Sequence, residues 1–285
     1  MSQPGLIEKV IEATNMQDSN PVDNPVLQQA LGSNPDGDEM SDSWNYRSIV
    51  GMLLYLTTNT RPDIAFAVSQ VARFSHQPKQ SHANAVKRII RYLKGTAKHG
   101  CIFKKPKSLC LDMFVDADFA GLYGVEPMES PISVKSRTGY VISISGCYLL
   151  AKSQLQTSIA QSTGEAEYIA LSSALKTLLP VYNMLREFLK FIVITNSLDC
   201  TVIRTFPTRV HEDNNSALML ATEQRITART KHYPIKRHWF WSIINDHEND
   251  IKVIKVDTTK QQADYCTKGL PTPAFCNNRK STQGW

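Results

Sequence analysis

The stretch Phe114-Val-Asp-Ala-Asp-Phe-Ala-Gly121 decides the fold, because an apolar run ends there on acidic residues. The run from Cys110 to Val115 has the composition of a buried strand. An acid at the end of such a run is costly to bury unless something neutralises its charge. We therefore predict a strand that delivers Asp116 to the edge of a sheet.

The periodicity beyond this strand predicts the rest of an α/β domain. Residues 138–145 and 148–151 form a hairpin of two apolar strands that turns near Gly146. A long helix is predicted next, at 163–190, with a bend near Pro180. Further strands are predicted at 201–211 and 251–256, and further helices at 214–222, 233–246 and 261–268. This order predicts a mixed five-stranded sheet with helices packed against its faces.

The region before the sheet differs from it in composition and in the spacing of its apolar residues. Residues 15–43 are rich in Asn, Asp, Ser, Pro and Gly, which predicts a loop or linker. Helical spacing of apolar residues follows at 46–56, 61–74 and 82–93. The third of these helices carries basic residues on its outer face: Lys87, Arg88, Arg91 and Lys94. We predict a small three-helix unit with one basic face.

Charge and composition narrow the classes of partner. The net charge is +6, but residues 1–43 hold one Lys and eight acids, so the basic charge lies in the remainder. Such a body favours a polyanionic partner, although a solvated surface with a modest basic bias explains it as well. No run of about eighteen apolar residues exists, so we expect no membrane span. The six cysteines have no metal-ligand spacing and are interpreted as free thiols.

Four acidic residues are predicted to meet at one edge of the sheet. They are Asp116, Glu167 in the long helix, Asp213 after a later strand, and Asp264 at the last helix. Carboxylate oxygens favour Mg²⁺ or Mn²⁺. Two such ions about 4 Å apart can clamp a phosphodiester. Taken singly, Asp213 and Asp264 could equally be turn or cap residues, so the prediction rests on the set of four.

At this point the chain resembles the end of the polymerase polyprotein of copia-type long-terminal-repeat retrotransposons. The resemblance covers nearly the whole chain. Its upstream motifs begin at Tyr46, Thr60 and Lys87, and look like the segment that connects a reverse transcriptase to its ribonuclease H. Its downstream motifs are Asp116-Ala-Asp-Phe-Ala-Gly, Ser136-Arg-Thr-Gly-Tyr, Ser162-Thr-Gly-Glu-Ala-Glu-Tyr, Asp213-Asn-Asn-Ser-Ala, Arg229-Thr-Lys-His and Gln262-Ala-Asp.

The resemblance implies a ribonuclease H-like fold that cleaves the RNA strand of an RNA–DNA hybrid with two Mg²⁺ ions, for which Mn²⁺ could substitute. It implies that Glu167, rather than Glu165, is the helix ligand, since Ala166-Glu-Tyr-Ile-Ala-Leu matches the family's catalytic-glutamate motif. It prefers Asp116 over Asp118, which stays a secondary candidate. It also implies an upstream reverse transcriptase as a partner, and an intracellular location in a cytoplasmic particle or the nucleus.

Contacts to nucleic acid are predicted for basic residues and one histidine, although ordinary exposed charges explain the helical ones as well. The candidates are Arg229, Lys231, His232, Lys87, Arg88 and Arg91. Trp239 and Trp241 are interpreted as packing residues. Some ribonucleases H carry a mobile histidine before the last Asp, and residues 257–263 contain none.

The expected organisation is a leader at 1–43, a helical connection region at 44–105, a ribonuclease H-like domain at 106–275 and a tail at 276–285. No adjacent Asp pair exists, so polymerase activity is not expected from this chain. Two alternatives stay open: an inactive remnant that keeps the fold and at most binds nucleic acid, and an integrase or transposase nuclease. The order Asp, Glu, Asp, Asp disfavours the second, because those enzymes place their Glu last.

Overall fold

The computed structural model describes residues 1–106, 108–196, 206–222, 234–246 and 250–285, and the side chains of 190–196 and 234–238 are not described. Within these ranges the helices are α1 (Pro4–Ala13), α2 (Tyr46–Asn59), α3 (Ala65–Ala72), α4 (Gln80–Gly95), α5 (Thr163–Asn196), α6 (Asn215–Thr222), α7 (Pro234–Ile244) and α8 (Thr272–Gln283). The strands are β1 (Leu111–Asp118), β2 (Arg137–Ile144), β3 (Cys147–Leu155), β4 (Thr208–Glu212) and β5 (Ile251–Lys255).

The five strands form one mixed sheet in the order β3-β2-β1-β4-β5. The pairs β1–β2 and β2–β3 are antiparallel, whereas β1–β4 and β4–β5 are parallel. Asp116 lies opposite Gly139 on β2, and Phe114 lies opposite His211 on β4. This order confirms the predicted ribonuclease H-like α/β fold, and it places the carboxyl ends of β1 and β4 side by side.

The two faces of the sheet are covered by different elements. On one face α5 packs on β1 and β2, where Met113, Val115 and Tyr140 meet the fully buried Leu171 and Leu175. On the other face α3, α8 and the 3₁₀ helix Gln262–Cys266 approach β2 and β3. Since side chains alternate along a strand, β1 sends its apolar residues to α5 and Asp112, Phe114 and Asp116 to the opposite side.

The upstream helices share a core with the sheet. Buried residues of α2, α3 and α4 form one apolar cluster with Val141 of β2, Tyr148 of β3 and Tyr265. A buried ion pair stabilises the turn before α3: Arg61 and Asp63 approach to 2.8 Å, and the Tyr92 hydroxyl donates to Asp63 at 2.5 Å. Removing two charges from water offsets much of their Coulomb attraction, so a buried ion pair depends on additional hydrogen bonds such as the one from Tyr92. The helices α2, α3 and α4 are therefore joined to the sheet by side-chain packing.

Residues 14–45 contain no named helix or strand, as predicted for a loop, but they are held against the body. The Asn24 amide donates to the Leu270 carbonyl at 2.8 Å, and Ser33 N donates to Glu126 Oε2 at 3.2 Å. The preceding helix α1 was not predicted, although Ile7 and Val10 are fully buried. The polar composition indicated the absence of regular structure correctly but carried no signal of these long-range contacts.

Four other elements differ from the prediction. The helix predicted at 61–74 is split into a 3₁₀ turn, Pro62–Ile64, and α3, and the helix predicted at 261–268 is a 3₁₀ helix. Residues 201–205 of the predicted fourth strand lie outside the described residues, and β4 continues to Glu212. Residues 276–285, expected as a tail, lie mostly within α8, and Arg279 stacks 4.0 Å from the Trp285 ring.

Candidate metal centre

Three acidic side chains meet where the parallel strands β1 and β4 end. Asp116 is on β1, Asp213 directly follows β4, and Glu167 extends from the second turn of α5. One carboxylate oxygen from each lies within 4.8 Å of the others. Asp116 and Glu167 are buried, and Asp213 is half-buried. A cluster of like charges with this burial is unfavourable on its own, which is the electrostatic signature of a cation site.

Asp116 has few compensating contacts for a buried acid. Its side chain accepts a hydrogen bond from Thr267 Oγ1, and Lys268 Nζ lies 3.9 Å away. Burial raises the pKa of Asp116 to about 6, with Asp264 and Asp213 adding to the increase and Lys268 opposing it. The side chain is therefore held in an environment that favours either a proton or a metal ion.

One carboxylate oxygen of Glu167 has no group that compensates its charge. Its Oε2 atom is buried without a hydrogen-bond partner. Burial raises the pKa of Glu167 strongly, and the charges of Glu212 and Asp116 raise it further. Glu165 has another role, since its Oε2 accepts from Gln161 N at 2.8 Å and Ser162 Oγ accepts from Glu165 N at 3.2 Å. These two bonds occupy backbone donors at the start of α5, so Glu165 acts as a capping residue.

A fifth carboxylate, Glu212, was missed by the sequence analysis. Glu212 is the last residue of β4 and is fully buried, on the same side of the sheet as α5. Its Oε1 accepts from Asn214 N at 3.0 Å, while its Oε2 has no partner. Burial raises the pKa of Glu212 well above its usual range, and Asp213 and Asp116 add to this. The only available signal was the alternation along β4, which places Glu212 inward with Val210.

Asp264 lies beside this cluster, next to Asp116. Its Oδ1 pairs with Lys268 Nζ at 2.9 Å, one helical turn further along the chain. Burial raises the pKa of Asp264, while Lys268 and a hydrogen bond with Asp116 lower it. Lys268 thus places a positive charge between Asp264 and Asp116. Sequence analysis did not select Lys268, although its spacing of four residues from an acid is the usual ion-pair spacing.

The capping alternatives for two of the acids are not supported by the geometry. At the start of α6, Asn214 Oδ1 accepts from the backbone of Ser216 at 2.9 Å and of Ala217 at 3.1 Å. At the 3₁₀ helix, the Gln261 side chain accepts from Ala263 N, and its amide donates to Val115 O at 2.8 Å. The caps are therefore Asn214 and Gln261, which leaves Asp213 and Asp264 facing the centre.

Gly139 allows the segment that carries Asp264 to lie close to the sheet. A Cβ atom at this position would lie 2.5 Å from Thr267 Cγ2 and 2.9 Å from Cys266 Cβ. Because glycine has no Cβ, the 3₁₀ helix can lie directly on β2 opposite Asp116. This close approach brings Thr267 and Asp264 to Asp116.

Asp118, the secondary candidate, is half-buried at the end of β1 and outside the group of three carboxylates. Its pKa is raised by burial and by Asp116, and lowered by Lys268 and Arg137. A Cβ atom at Gly121 would lie 1.7 Å from Asp118 Oδ2, so a larger residue there would displace the Asp118 carboxylate.

Of the residues predicted to contact nucleic acid, the three that the structure describes, Lys87, Arg88 and Arg91, lie on α4 and not at this centre. Lys87 pairs with Asp42 at 2.6 Å, and Arg91 Nε donates to Asn20 O at 2.6 Å. Arg88 is half-buried. The acidic segment before α2 therefore covers much of the basic face of α4. Arg229, Lys231 and His232 lie outside the described residues, and a role in nucleic-acid binding stays a prediction for all six.

Trp239 and Trp241 pack against other side chains of the core, as the sequence analysis predicted. Trp241 is buried and donates from Nε1 to Leu220 O at 3.2 Å. Trp239 is partly buried against the α5 core, with Lys176 Nζ 5.5 Å from its ring.

Comparison with known proteins now identifies the family. No protein-family model matches the chain. The chain is 34% identical over 281 residues to the retrovirus-related Pol polyprotein from transposon TNT 1-94 of Nicotiana tabacum, covering 96% of the chain and 19% of that protein. It is 31% identical over 277 residues to the Pol polyprotein from transposon RE1 of Arabidopsis thaliana, covering 97% of the chain and 17% of that protein.

The chain belongs to the retrovirus-related Pol polyproteins of copia-type retrotransposons. It spans less than a fifth of the length of the RE1 Pol polyprotein. Among solved structures, the N-terminal RNase H domain of rv2228c from Mycobacterium tuberculosis aligns at 13% identity with a TM-score of 0.35, covering 61% of the chain and 99% of that domain. The mixed five-stranded sheet described above has the RNase H-like fold that the sequence predicted. No described helix has the length and apolarity needed to cross a membrane.

Proposed function

We propose that this Pol segment hydrolyses the RNA strand of RNA–DNA hybrids in a reaction that depends on divalent metal. The observation that carries the proposal is the meeting of Asp116, Glu167 and Asp213 within 4.8 Å at the ends of two parallel strands. Together with Asp264 they provide four carboxylates in the order that the family resemblance implies.

The donor set fits a hard divalent cation. All four groups offer carboxylate oxygens, which Mg²⁺ and Mn²⁺ prefer, and no sulfur or imidazole lies in the group. The buried Glu167 Oε2 has no partner and would be satisfied by a cation. Asp116, Glu167 and Asp213 would hold one ion, and Asp116 with Asp264 a second, in the region where Lys268 now supplies the positive charge. When bound, such ions would activate the attacking water and stabilise the leaving oxygen.

The protein's own residues have separable roles in this proposal. Thr267 donates to Asp116 and Gln261 ties its segment to β1, so both fix the orientation of the ligands. Glu212 holds the turn that carries Asp213 through its bond to Asn214 N. Lys268 is available to pair with phosphate once a cation takes over the charge of Asp116 and Asp264.

Membership of the family supports an RNA–DNA hybrid as the substrate, and we expect the hybrid to be recognised by its shape. A hybrid duplex is close to A-form, with a wide minor groove that displays 2′-hydroxyl groups. Contacts to its phosphates come from basic side chains and weaken as salt is added. The partner in the same polyprotein is the upstream reverse transcriptase, whose connection region corresponds to residues 44–105. We propose that the reaction takes place where hybrids are made, in a cytoplasmic particle or in the nucleus.

The test is cleavage of a labelled RNA–DNA hybrid by the purified chain in Mg²⁺, Mn²⁺ and EDTA. Metal-dependent loss of the RNA strand is expected. Asp116→Asn should lower the rate on the order of 10³-fold, because a metal-ion contribution is worth several kcal/mol of transition-state stabilisation. Asp112→Asn is the matched control, since Asp112 lies on the same strand and face but outside the centre.

The competing hypothesis is an inactive remnant that keeps the fold. A folded chain that leaves the hybrid intact in both metals would support the remnant and exclude the nuclease. Equal loss of activity in Asp112→Asn and Asp116→Asn would show that the substitutions act through folding instead of through the centre.

A further inference from the structure

Residues 14–45, which we name the covering segment, have the opposite charge to the helix on which they lie. The segment holds six Asp or Glu residues and no Lys or Arg. Its contacts are with the basic residues of α4, and all four of these are half-buried: Lys87, Arg88, Arg91 and Lys94. The segment therefore occupies a surface whose charge suits a polyanion.

At the C-terminal end of α4, the segment supplies carbonyl oxygens to two cations. Arg91 Nε donates to Asn20 O at 2.6 Å, and Lys94 Nζ donates to Ser19 O at 2.7 Å. A carbonyl satisfies a donor without neutralising its charge, so a phosphate oxygen is a stronger acceptor for the same group. These contacts can be exchanged for contacts to a nucleic acid.

Near the N-terminal end of α4, the segment supplies carboxylates. Lys87 Nζ lies 2.6 Å from Asp42 Oδ1, and Gln80 Nε2 donates to Asp42 Oδ2 at 3.0 Å. Lys79 pairs with Glu39, whose side chain is exposed. Ion pairs at a surface contribute little and are screened by salt, so a competing polyanion can break them.

The middle of the segment is held by side chains of the upstream helices. Arg73 Nη1 donates to Leu31 O at 3.0 Å, and His82 Nε2 lies 2.9 Å from Gly32 O. A Cβ atom at Gly32 would lie 2.7 Å from the backbone oxygen of Val125. Because a backbone oxygen cannot rotate away as a side chain can, a single added methyl group would push the segment outwards without changing any charge.

The segment can move while its ends stay anchored. Met16 and Trp44 are buried near its two ends, whereas residues 27–29 and 34–36 are exposed. A stretch without helix or strand, held by a few side chains, belongs to the part of a protein that opens at low cost. The segment also passes beside the metal centre, since a Cβ atom at Gly269, next to Lys268, would lie 2.6 Å from Leu27 O.

We propose that the covering segment is autoinhibitory: it occupies the basic face of α4, and a nucleic acid must displace it in order to bind there. The inference rests on the proposed function for the choice of an RNA–DNA hybrid as the polyanion. The apparent affinity is then the intrinsic affinity multiplied by the fraction of molecules in which the segment is released.

The first test is hydrogen exchange of the native chain in EDTA, with and without an RNA–DNA hybrid. Ser33 N donates to Glu126 Oε2 at 3.2 Å, and Ser41 N donates to Gln80 Oε1 at 2.9 Å. We expect both amides to exchange faster when the hybrid is bound, because the segment leaves these acceptors. Unchanged or slower exchange of residues 30–42 at saturating hybrid would overturn the proposal.

The second test is the affinity for the hybrid in EDTA, measured by fluorescence anisotropy. Gly32→Ala should raise it about tenfold, the gain expected if the segment is in place in about nine molecules of ten. Gly51→Ala is the matched control, since Gly51 is exposed on α2 and a Cβ atom there meets nothing within 4 Å. Lys87→Met with Arg91→Met should abolish the gain in the Gly32→Ala chain and have a smaller effect in the native chain.

A charge variant keeps the test valid if Gly32→Ala does not fold. Asp42→Asn removes the partner of Lys87 and should raise the affinity several-fold, whereas Asp36→Asn makes the same change of charge at an exposed residue of the segment and should not. Equal gains would indicate general electrostatics and reject the proposal, as would a folded Gly32→Ala chain whose segment exchanges faster but which binds no better.

Both tests are made without metal, so their outcome is separate from that of the cleavage assay. Cleavage by a chain whose affinity is insensitive to the segment would retain the nuclease and reject autoinhibition. A gain in affinity on release, without cleavage in Mg²⁺ or Mn²⁺, would retain autoinhibition and reject the nuclease.

Discussion

Strand β1 carries two buried carboxylates on one face, Asp112 and Asp116, in opposite electrostatic surroundings. Asp112 accepts from Arg209 Nε at 2.7 Å and lies 2.8 Å from His211 Nε2. Burial alone would raise its pKa, but the hydrogen bonds from His211 and Arg209 lower it to about 2. Asp116 is surrounded mainly by other acids, and its pKa is raised to about 6.

The difference between these carboxylates separates a charge that the protein itself compensates from one that it leaves uncompensated. Asp112 is compensated by the protein itself, since Arg209 and His211 come from β4, the parallel neighbour of β1. Asp116 is four residues further along, where β4 contributes Glu212 and Asp213 instead of cations. A folded protein keeps such an uncompensated cluster only at a cost in stability, which is typical of sites that bind a charged ligand.

The largest expected effect concerns divalent metal, which should stabilise the chain through Asp116 and not through Asp112. At a Mg²⁺ concentration of about 100 times the dissociation constant, binding adds about 2.7 kcal/mol to the free energy of unfolding. Calorimetry with and without Mg²⁺ measures the gain. Asp116→Asn should lose most of it and Asp112→Asn should keep it. An equal gain in both variants would place the metal elsewhere.

The two asparagine variants should have opposite effects on the metal-free protein. Asp116→Asn removes a buried, repelled charge, so the free energy of unfolding should rise by about 1 to 3 kcal/mol near pH 8. Asp112→Asn breaks charged hydrogen bonds and should lower it by about 1 to 2 kcal/mol, a value reduced because Arg209 is 44% exposed. Denaturant unfolding in EDTA measures both values. A change of the same sign in the free energy of unfolding of both variants would contradict the contrast between Asp112 and Asp116.

The smallest expected effect is a pH dependence with two branches. The pKa of Asp116 is higher in the folded state than its ordinary value of 3.8, so the metal-free chain should gain stability as pH falls from above 6 towards 4. The pKa of Asp112 is lower when folded, so its contribution is present above about 4 and is lost as pH falls towards 2. Thermal unfolding in EDTA from pH 2 to 8 should show a maximum between these branches.

The variants assign each branch of this profile. Asp116→Asn should flatten the part above pH 4, although the remaining acids of the cluster titrate together with it. Asp112→Asn should flatten the part below pH 4. A native profile without a rise between pH 7 and pH 5 would contradict the uncompensated state of the cluster.

Much of this molecule was predictable because its signals are local. The hairpin of β2 and β3, the strand β1 and the amphipathic α4 each follow from the periodicity of adjacent residues. The four acids could be selected as a set, since three of them belong to strands or helices that the pattern identified. The sequence also indicated the family, and with it the choice of Glu167 over Glu165.

Features that depend on distant residues were not predictable in this way. The terminal α8 is only weakly amphipathic in sequence, and both α8 and the short α1 are held by burial against other elements. The surroundings of Glu212 and Lys268 depend on which elements are neighbours in the fold. The side chain of Arg137 donates a hydrogen bond to Ser69, which lies on a helix nearly seventy residues upstream. The cap roles of Asn214 and Gln261 could not be distinguished from those of the adjacent acids until backbone geometry was known.

The sequence by itself determined the class of fold and the family and selected the candidate carboxylates, because strand alternation, helical spacing and motif order are properties of neighbouring residues. The tertiary structure decided which charges are compensated. Whether a buried acid or arginine has a partner depends on the order of strands in the sheet and on the elements packed over it. That order gives Asp112 two basic partners, Arg209 and His211, and brings Asp213 and Asp264 to Asp116.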